Sequence, residues 1–151
     1  MNKNIAIDIL FLVLINFACT KDTHRSELAF LNKSIENINN INNYEWIVIL
    51  PGIGCHGCIQ EGEFFMKENI NNEKILYILT KTSSLKLLQQ KTGIELNKHF
   101  NIYIDKEFMF DIPSDNGIYP CVIRLEHGKI KQFDFQSPEN AAFYKMKQSL
   151  D

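Results

Sequence analysis

The sequence predicts an α/β fold, in which a central mixed β-sheet is flanked by helices. From residue 44 onward, apolar β-rich runs alternate with segments of helical periodicity. A C-x-x-C pair, Cys55 and Cys58, lies between one such run and the helix that follows it. Near the end, two β-rich runs meet at His127-Gly128, which is typical of a β-hairpin. Alternating strands and helices that end in a hairpin favour a sheet with helices packed on it.

Composition is consistent with one ordinary globular domain. The chain has 151 residues, of which 45% are hydrophobic and 23% charged. The formal net charge of −2 provides no basic surface, so the sequence gives little support to nucleic-acid binding. We expect no nucleic-acid partner.

The first 18 residues have the features of a secretory signal peptide. Lys3 supplies a positive charge, and the apolar run Ile9–Ile15 is shorter than the roughly 20 residues needed to span a bilayer. Ala18-Cys19 resembles the cleavage site of bacterial lipoproteins, in which the cysteine is acylated and becomes the mature N-terminus. An ordinary signal peptide and an uncleaved membrane-proximal segment are the alternatives. Each of the three places the domain outside the cytoplasm, where disulfides persist.

Residues 19–43 are expected to form a polar tether and an N-terminal helix. Leu28, Leu31, Ile35 and Ile38 recur at helical spacing behind Ser26, a possible N-cap. The Asn-rich run 35–43 then predicts that this helix ends in an irregular loop. The main folded domain is expected over residues 44–151.

The remaining elements follow from local patterns. The first strand is the apolar run Trp46–Leu50, and a helix is expected from Ile59 onward. The later elements are predicted as a strand over Lys74–Thr80, a helix over Ser83–Lys91, a strand over His99–Asp105, strands over Cys121–Glu126 and Lys129–Phe135, and a helix from Pro138 or Glu139 to about Leu150.

The placement of the C-x-x-C pair predicts thiol–disulfide chemistry. At the start of a helix, free backbone N–H groups and the helix dipole stabilise a thiolate, so Cys55 is the expected nucleophile and Cys58 the resolving thiol. His56, if protonated, would favour that thiolate further. Sequence alone leaves open whether the pair reduces or oxidises its substrate.

Residues 44–150 resemble the thioredoxin-like superfamily, and in particular the TlpA-like thioredoxins of the bacterial envelope. The resemblance rests on the strand before GCHGC, Glu61 three residues after Cys58, Asp105 at a strand end, Tyr119-Pro120 before CVIRLE, and Gly128-Lys129-Ile130. It implies a three-layer sandwich and a cis Tyr119–Pro120 bond packed against the disulfide. It also implies that the backbone at Tyr119 binds an extended substrate. Glu61 or a water would exchange protons with Cys58.

Three departures from this family separate two functional hypotheses. Gly54 replaces the usual Trp before the first cysteine, the usual helix-kinking proline is absent near Glu63, and the strand Trp46–Leu50 carries no acid. The first hypothesis is an envelope (periplasmic) thiol–disulfide oxidoreductase, lipid-anchored through Cys19, that acts on protein disulfides or dithiols with a separate redox partner. The alternative is a non-catalytic thioredoxin-like accessory or binding lipoprotein.

Metal binding is the further alternative for a C-x-x-C pair. Zinc needs four ligands, and the sequence has no second such pair. Cys121 and His56 could complete a site, but Cys121 begins an apolar strand and is expected to be a small core residue or, alternatively, a third redox thiol. We therefore expect no metal and no cofactor.

Overall fold

The computed structural model of the protein describes residues 22–150, and within them five strands form one sheet with helices on both faces. This confirms the predicted α/β class. The strands are β1 (Trp46–Pro51), β2 (Ile75–Thr80), β3 (Ile102–Asp105), β4 (Cys121–Glu126) and β5 (Lys129–Phe135). The helices are α1 (residues 22–35), α2 (His56–Asn69), α3 (Leu85–Thr92) and α4 (Ala142–Lys147).

The sheet is mixed, in the order β3-β2-β1-β4-β5. Strands β1, β2 and β3 run parallel, whereas β4 pairs antiparallel with both β1 and β5. The carboxyl ends of β1, β2 and β3 therefore share one edge with the start of β4. Since β1 is central, the C-x-x-C motif that follows it emerges in the middle of this edge.

Alternate residues of the strands enter two separate hydrophobic cores, one on each face. Val48 and Leu50 belong to a core shared with α2, α3 and α4, which we call the α2 core. Ile47 and Ile49 belong to a core shared with α1, which we call the α1 core. All six residues of β1 are buried, as expected for a strand covered on both faces.

Several predicted boundaries are close to the observed ones. Strands β4 and β5 have the predicted bounds, and His127 and Gly128 between them both have positive φ angles, as a tight hairpin turn requires. Ser84 caps α3 by accepting a hydrogen bond from the Leu87 N–H at 3.2 Å. Strand β3 starts later than predicted, at Ile102.

The ends of α1 and α4 differ from prediction. Ser26 is not an N-cap, because it lies inside α1 and its hydroxyl donates to the Thr23 carbonyl at 2.8 Å. Helix α4 is shorter than predicted, because a bridge between Ser137 and Asn140 first reverses the chain. The Asn140 amide holds this reversal by donating to the Phe135 carbonyl at 2.9 Å.

The proposed membrane-targeting features cannot be compared with the structure. The predicted signal segment 1–18 and Cys19 lie outside the described residues. Within residues 22–150, no helix combines the length and apolar character needed to cross a bilayer.

Candidate redox site

Cys55 and Cys58 form a disulfide at the start of α2, with 5.4 Å between their Cα atoms. Cys55 occupies the N-cap position of α2, and its carbonyl accepts a hydrogen bond from the Ile59 N–H at 2.9 Å. Cys55 is partly exposed, whereas Cys58, in the first turn, is only 6% exposed. The pair thus consists of an outer sulfur and an inner one, with the outer sulfur at the helix N-terminus.

The loop before β4 closes directly against this motif. The N–H of Cys55 donates to the Ile118 carbonyl at 2.9 Å. Gly54 has a φ of 150°, and a Cβ atom at this position would lie 2.2 Å from the same carbonyl oxygen. A side chain at position 54 is therefore incompatible with this arrangement. The close approach of the Ile118 carbonyl explains why this chain has glycine at a position where the family it resembles has Trp.

The cis Tyr119–Pro120 bond expected from the resemblance is absent, and that expectation is wrong. No peptide bond among residues 22–150 is cis. A short 3-10 turn, Asp115–Ile118, precedes Tyr119, whose N–H donates to the Asn116 carbonyl at 2.9 Å. Tyr119 is then extended, with φ −106° and ψ 147°, a conformation compatible with a following trans proline.

Pro120 is buried, and Tyr119 packs against the α1 core. The Pro120 carbonyl accepts a hydrogen bond from the Gln136 N–H at 2.8 Å. The Tyr119 N–H and the Pro120 carbonyl are thus both occupied within the protein. Substrate binding at these two residues stays a prediction, and neither of these groups is free to provide it.

The two supporting residues on α2 have different surroundings. His56 is exposed on the first turn of α2, beside Cys55. The Glu61 carboxylate is exposed and accepts a hydrogen bond from the Gln136 side-chain amide. Glu63, which stands near the position of the usual kink proline, instead forms an ion pair with Lys91 of α3 at 3.3 Å.

Gln136 was missed by the sequence reasoning, although it connects three parts of the site. Its side chain is buried, and its amide oxygen accepts from the Phe143 N–H of α4 at 3.1 Å. The Gln136 side-chain amide also donates to the Glu61 carboxylate on α2. Its backbone N–H donates to the Pro120 carbonyl just before β4. A glutamine just after a strand gives no local signal for this role, because each partner is distant in sequence.

Cys121 is fully buried in the α1 core, on the opposite face of the sheet from α2. Burial raises the pKa of its thiol well above the ordinary value, and the nearby charges of Glu27 and Asp134 raise it further. This confirms the prediction of a core cysteine. The structure does not bring Cys121 together with exposed His56, and residues 22–150 contain no cluster of three or more potential metal ligands from His, Cys, Asp and Glu.

Two exposed isoleucines flank the disulfide. Ile53 lies two residues before Cys55 and is 62% exposed. Ile118, whose carbonyl binds the Cys55 N–H, is 45% exposed. Each of these isoleucines therefore exposes apolar surface close to the motif, one in the loop before Cys55 and one at the residue that accepts the Cys55 N–H.

Comparison of the sequence with protein-family models, and of the chain with curated proteins and solved structures, finds no match.

Proposed function

We propose that this protein is a thioredoxin-like thiol–disulfide oxidoreductase, membrane-anchored outside the cytoplasm, that exchanges disulfides through Cys55 and Cys58. The observation that carries the proposal is the position of the Cys55–Cys58 disulfide. It joins the partly exposed N-cap of α2 to a buried residue of the first turn, at the central strand of the sheet. The helix N-terminus favours a thiolate at Cys55.

The fold supports the thioredoxin-like part of the proposal. The motif follows the central strand β1, which pairs parallel with β2 on one side and antiparallel with β4 of the hairpin on the other. A mixed sheet of this order with helices on both faces is compatible with the three-layer sandwich of that superfamily.

In the reducing direction, the Cys55 thiolate attacks one sulfur of a substrate disulfide. The Cys55–substrate bond forms, and the other substrate sulfur leaves as a thiolate. The Cys58 thiolate then attacks the Cys55 sulfur, which restores the Cys55–Cys58 disulfide and releases the second substrate thiolate. Two electrons pass from the protein dithiol to the substrate, and a separate envelope dithiol restores the reduced protein. The same steps reversed oxidise a substrate dithiol.

The proposed substrate is a polypeptide that bears a disulfide or a dithiol. Ile53 precedes the motif by two residues and Ile118 is hydrogen-bonded to Cys55, and both are exposed, so they provide apolar contact area near the disulfide. Such contacts favour a protein segment over a small charged thiol, because they allow apolar surface to be buried during exchange.

The proposed anchor is a lipid on Cys19, which would place the disulfide near the bilayer. In an extended chain, Cys19 and Asp22 are separated by at most about 11 Å. The first turns of α1 contact the start of the 3-10 turn before β4, since Glu27 accepts hydrogen bonds from Ser114 and Asn116. That turn ends at the Ile118 carbonyl beside Cys55, so the first turns of α1 and the disulfide lie at the same edge of the sheet.

Mass spectrometry tests the anchor. In the membrane fraction, we expect a mature N-terminal peptide that begins at Cys19 and carries two or three acyl chains. A Cys19→Ala variant should lose this modification and its membrane attachment. An intact Met1, or an unmodified Cys19 in the unaltered protein, would contradict the lipid anchor while leaving the redox proposal standing.

Alkylation of the reduced protein tests the assignment of the nucleophile. With iodoacetamide at pH 7, we expect Cys55 to react first, Cys58 more slowly because it is buried, and Cys121 only on unfolding. The raised pKa of Cys121 keeps its thiol neutral in the folded protein at pH values where an ordinary thiol ionises. Peptide mapping identifies the labelled residue. Equal labelling of Cys55 and Cys58 would contradict the assignment.

The alternative function is a thioredoxin-like accessory lipoprotein with a structural disulfide. The trans Tyr119–Pro120 bond favours it, because the resembling family uses a cis proline beside its reactive disulfide. The internal hydrogen bonds of the Tyr119 N–H and the Pro120 carbonyl favour it as well. In this case no mixed disulfide with a partner would form during binding.

A further inference from the structure

Glu27 is a buried carboxylate with partners far away in the sequence. Its residue is only 3% exposed. One carboxylate oxygen, Oε1, accepts hydrogen bonds from the Ser114 hydroxyl at 2.6 Å and from the Asn116 side-chain amide at 2.9 Å. A buried carboxylate is costly unless it is hydrogen-bonded, and bonds to a charged acceptor are stronger than neutral ones. These two contacts join α1 to the segment before β4.

The segment that Glu27 holds is itself closely hydrogen-bonded. The Ser114 hydroxyl accepts from the Asn116 N–H at 3.2 Å, and the Ser114 carbonyl accepts from the Gly117 N–H at 2.9 Å. The 3-10 turn Asp115–Ile118 that results ends at the carbonyl that binds the Cys55 N–H. Glu27 is therefore connected to the N-cap of α2 through the hydrogen bonds at Ser114 and Asn116, the backbone of the turn, and the bond between the Ile118 carbonyl and the Cys55 N–H.

We propose that Glu27 is a positioning residue for Cys55, acting through Ser114 and the turn Asp115–Ile118. By fixing this turn, Glu27 holds the Ile118 carbonyl against the Cys55 N–H. The backbone of Cys55 is thereby restrained at the N-cap, where the first N–H groups of α2 can stabilise its thiolate. The inference rests on the proposed role of Cys55 as the attacking thiol.

A carboxylate suits this role better than an apolar contact would. Glu27 lies on the helix that packs over one face of the sheet, whereas Cys55 begins a helix that packs on the other face. The link described above lies at the shared edge of the sheet and includes directional hydrogen bonds at Glu27 and at the Cys55 N–H. Loss of the acceptor at Glu27 would also leave the Ser114 hydroxyl and the Asn116 amide without this partner.

The test compares the alkylation rate of reduced Cys55 by iodoacetamide at pH 7 in the full protein and four variants. Glu27→Ala removes the acceptor, and Ser114→Ala removes one donor together with the bond to the Asn116 N–H. Both should slow alkylation about two- to fivefold, the range expected when a charge loses its position at a helix N-terminus. Glu27→Gln keeps an oxygen acceptor and should retain a rate closer to that of the unaltered protein than to that of Glu27→Ala.

Ser34→Ala is the matched control. Ser34 is also buried on α1, and its hydroxyl donates to the Met109 carbonyl at 2.7 Å, outside the turn that reaches Cys55. This variant should lower thermal stability to a similar extent as Ser114→Ala but leave the alkylation rate unchanged. If Ser34→Ala also slowed the alkylation of Cys55, the effect would come from a general loss of stability, and the positioning role of Glu27 would be overturned.

Two further outcomes would also overturn it. Unchanged rates in both Glu27→Ala and Ser114→Ala would show that the turn does not position Cys55. A rate in Glu27→Gln as slow as in Glu27→Ala would assign the effect to charge rather than to the hydrogen bonds. If Glu27→Ala does not fold, the alkylation rates of the other two variants test the proposal. Ser114→Ala should be slow, and Glu27→Gln should stay close to the unaltered protein. Since alkylation needs no substrate, the positioning role is tested even if exchange with protein disulfides is not found.

Discussion

The Cys55→Ser variant is expected to lose thiol–disulfide exchange down to the rate of the uncatalysed background. Cys55 supplies the attacking sulfur, and a serine hydroxyl at the same place cannot form a mixed disulfide. The Cys58→Ser variant should still attack but stop after the first step, because no second thiol can release the substrate. It should therefore accumulate a covalent complex through Cys55.

Turnover of a peptide disulfide is measured with excess dithiol. The complex is trapped in a separate reaction, in which the reduced Cys58→Ser variant meets the peptide disulfide without added dithiol, and it is identified by non-reducing electrophoresis and peptide mapping. Cys121→Ala is the control, because Cys121 is buried on the other face of the sheet and should leave turnover unchanged. A mixed disulfide at Cys121, or full turnover in Cys55→Ser, would refute the assigned roles. Absence of a trapped complex in Cys58→Ser would support the accessory function.

Gly54→Ala is expected to destabilise the protein by roughly 3 kcal/mol or more, because a Cβ atom would collide with a backbone carbonyl at a φ that L-residues rarely adopt. This Cβ atom would lie 2.2 Å from the Ile118 carbonyl oxygen, which belongs to the backbone and not to a flexible side chain. Relief of the collision would break the hydrogen bond between the Cys55 N–H and Ile118. Exchange should therefore fall together with stability.

Gly57→Ala provides the matched comparison three residues away. Gly57 lies in the first turn of α2, and a Cβ atom there would have no heavy atom within 4 Å other than those of its chain neighbours and of its own helix backbone. The helix should gain about 0.5 kcal/mol from this change. Urea unfolding of both variants gives the two free energies of unfolding. Similar values for Gly54→Ala and Gly57→Ala would contradict the described contact between the motif and the loop before β4.

Local signals in the sequence account for the elements that were predicted well. The hairpin strands have alternating or continuous apolar residues and a His127-Gly128 turn, so both their bounds and their pairing follow from short-range chemistry. The C-x-x-C helix was placed correctly for the same reason, although it begins at His56 rather than Ile59 because Cys55 itself takes the N-cap position. Such features need only neighbours in the chain.

The remaining features depend on contacts between distant residues. Glu27 and Ser114 are 87 positions apart, and Gln136 and Glu61 are 75 apart, so neither pair leaves a local pattern. The cis Tyr119–Pro120 bond was expected from the family resemblance alone. The structure has a trans bond there, and the extended conformation of Tyr119 is compatible with either isomer. Gly54 was taken as a departure from a family pattern, whereas the approach of Ile118 accounts for it physically.

The reduction potential of the Cys55–Cys58 pair tests the proposed function most directly. Equilibration with glutathione or dithiothreitol mixtures, followed by quantitative alkylation, gives the fraction of reduced protein. An exchange site should have a potential between about −270 and −120 mV, the range of known dithiol oxidoreductases. The position within that range would indicate whether the protein acts as a reductant or an oxidant. A potential below about −300 mV, which is typical of structural disulfides, would contradict the exchange function.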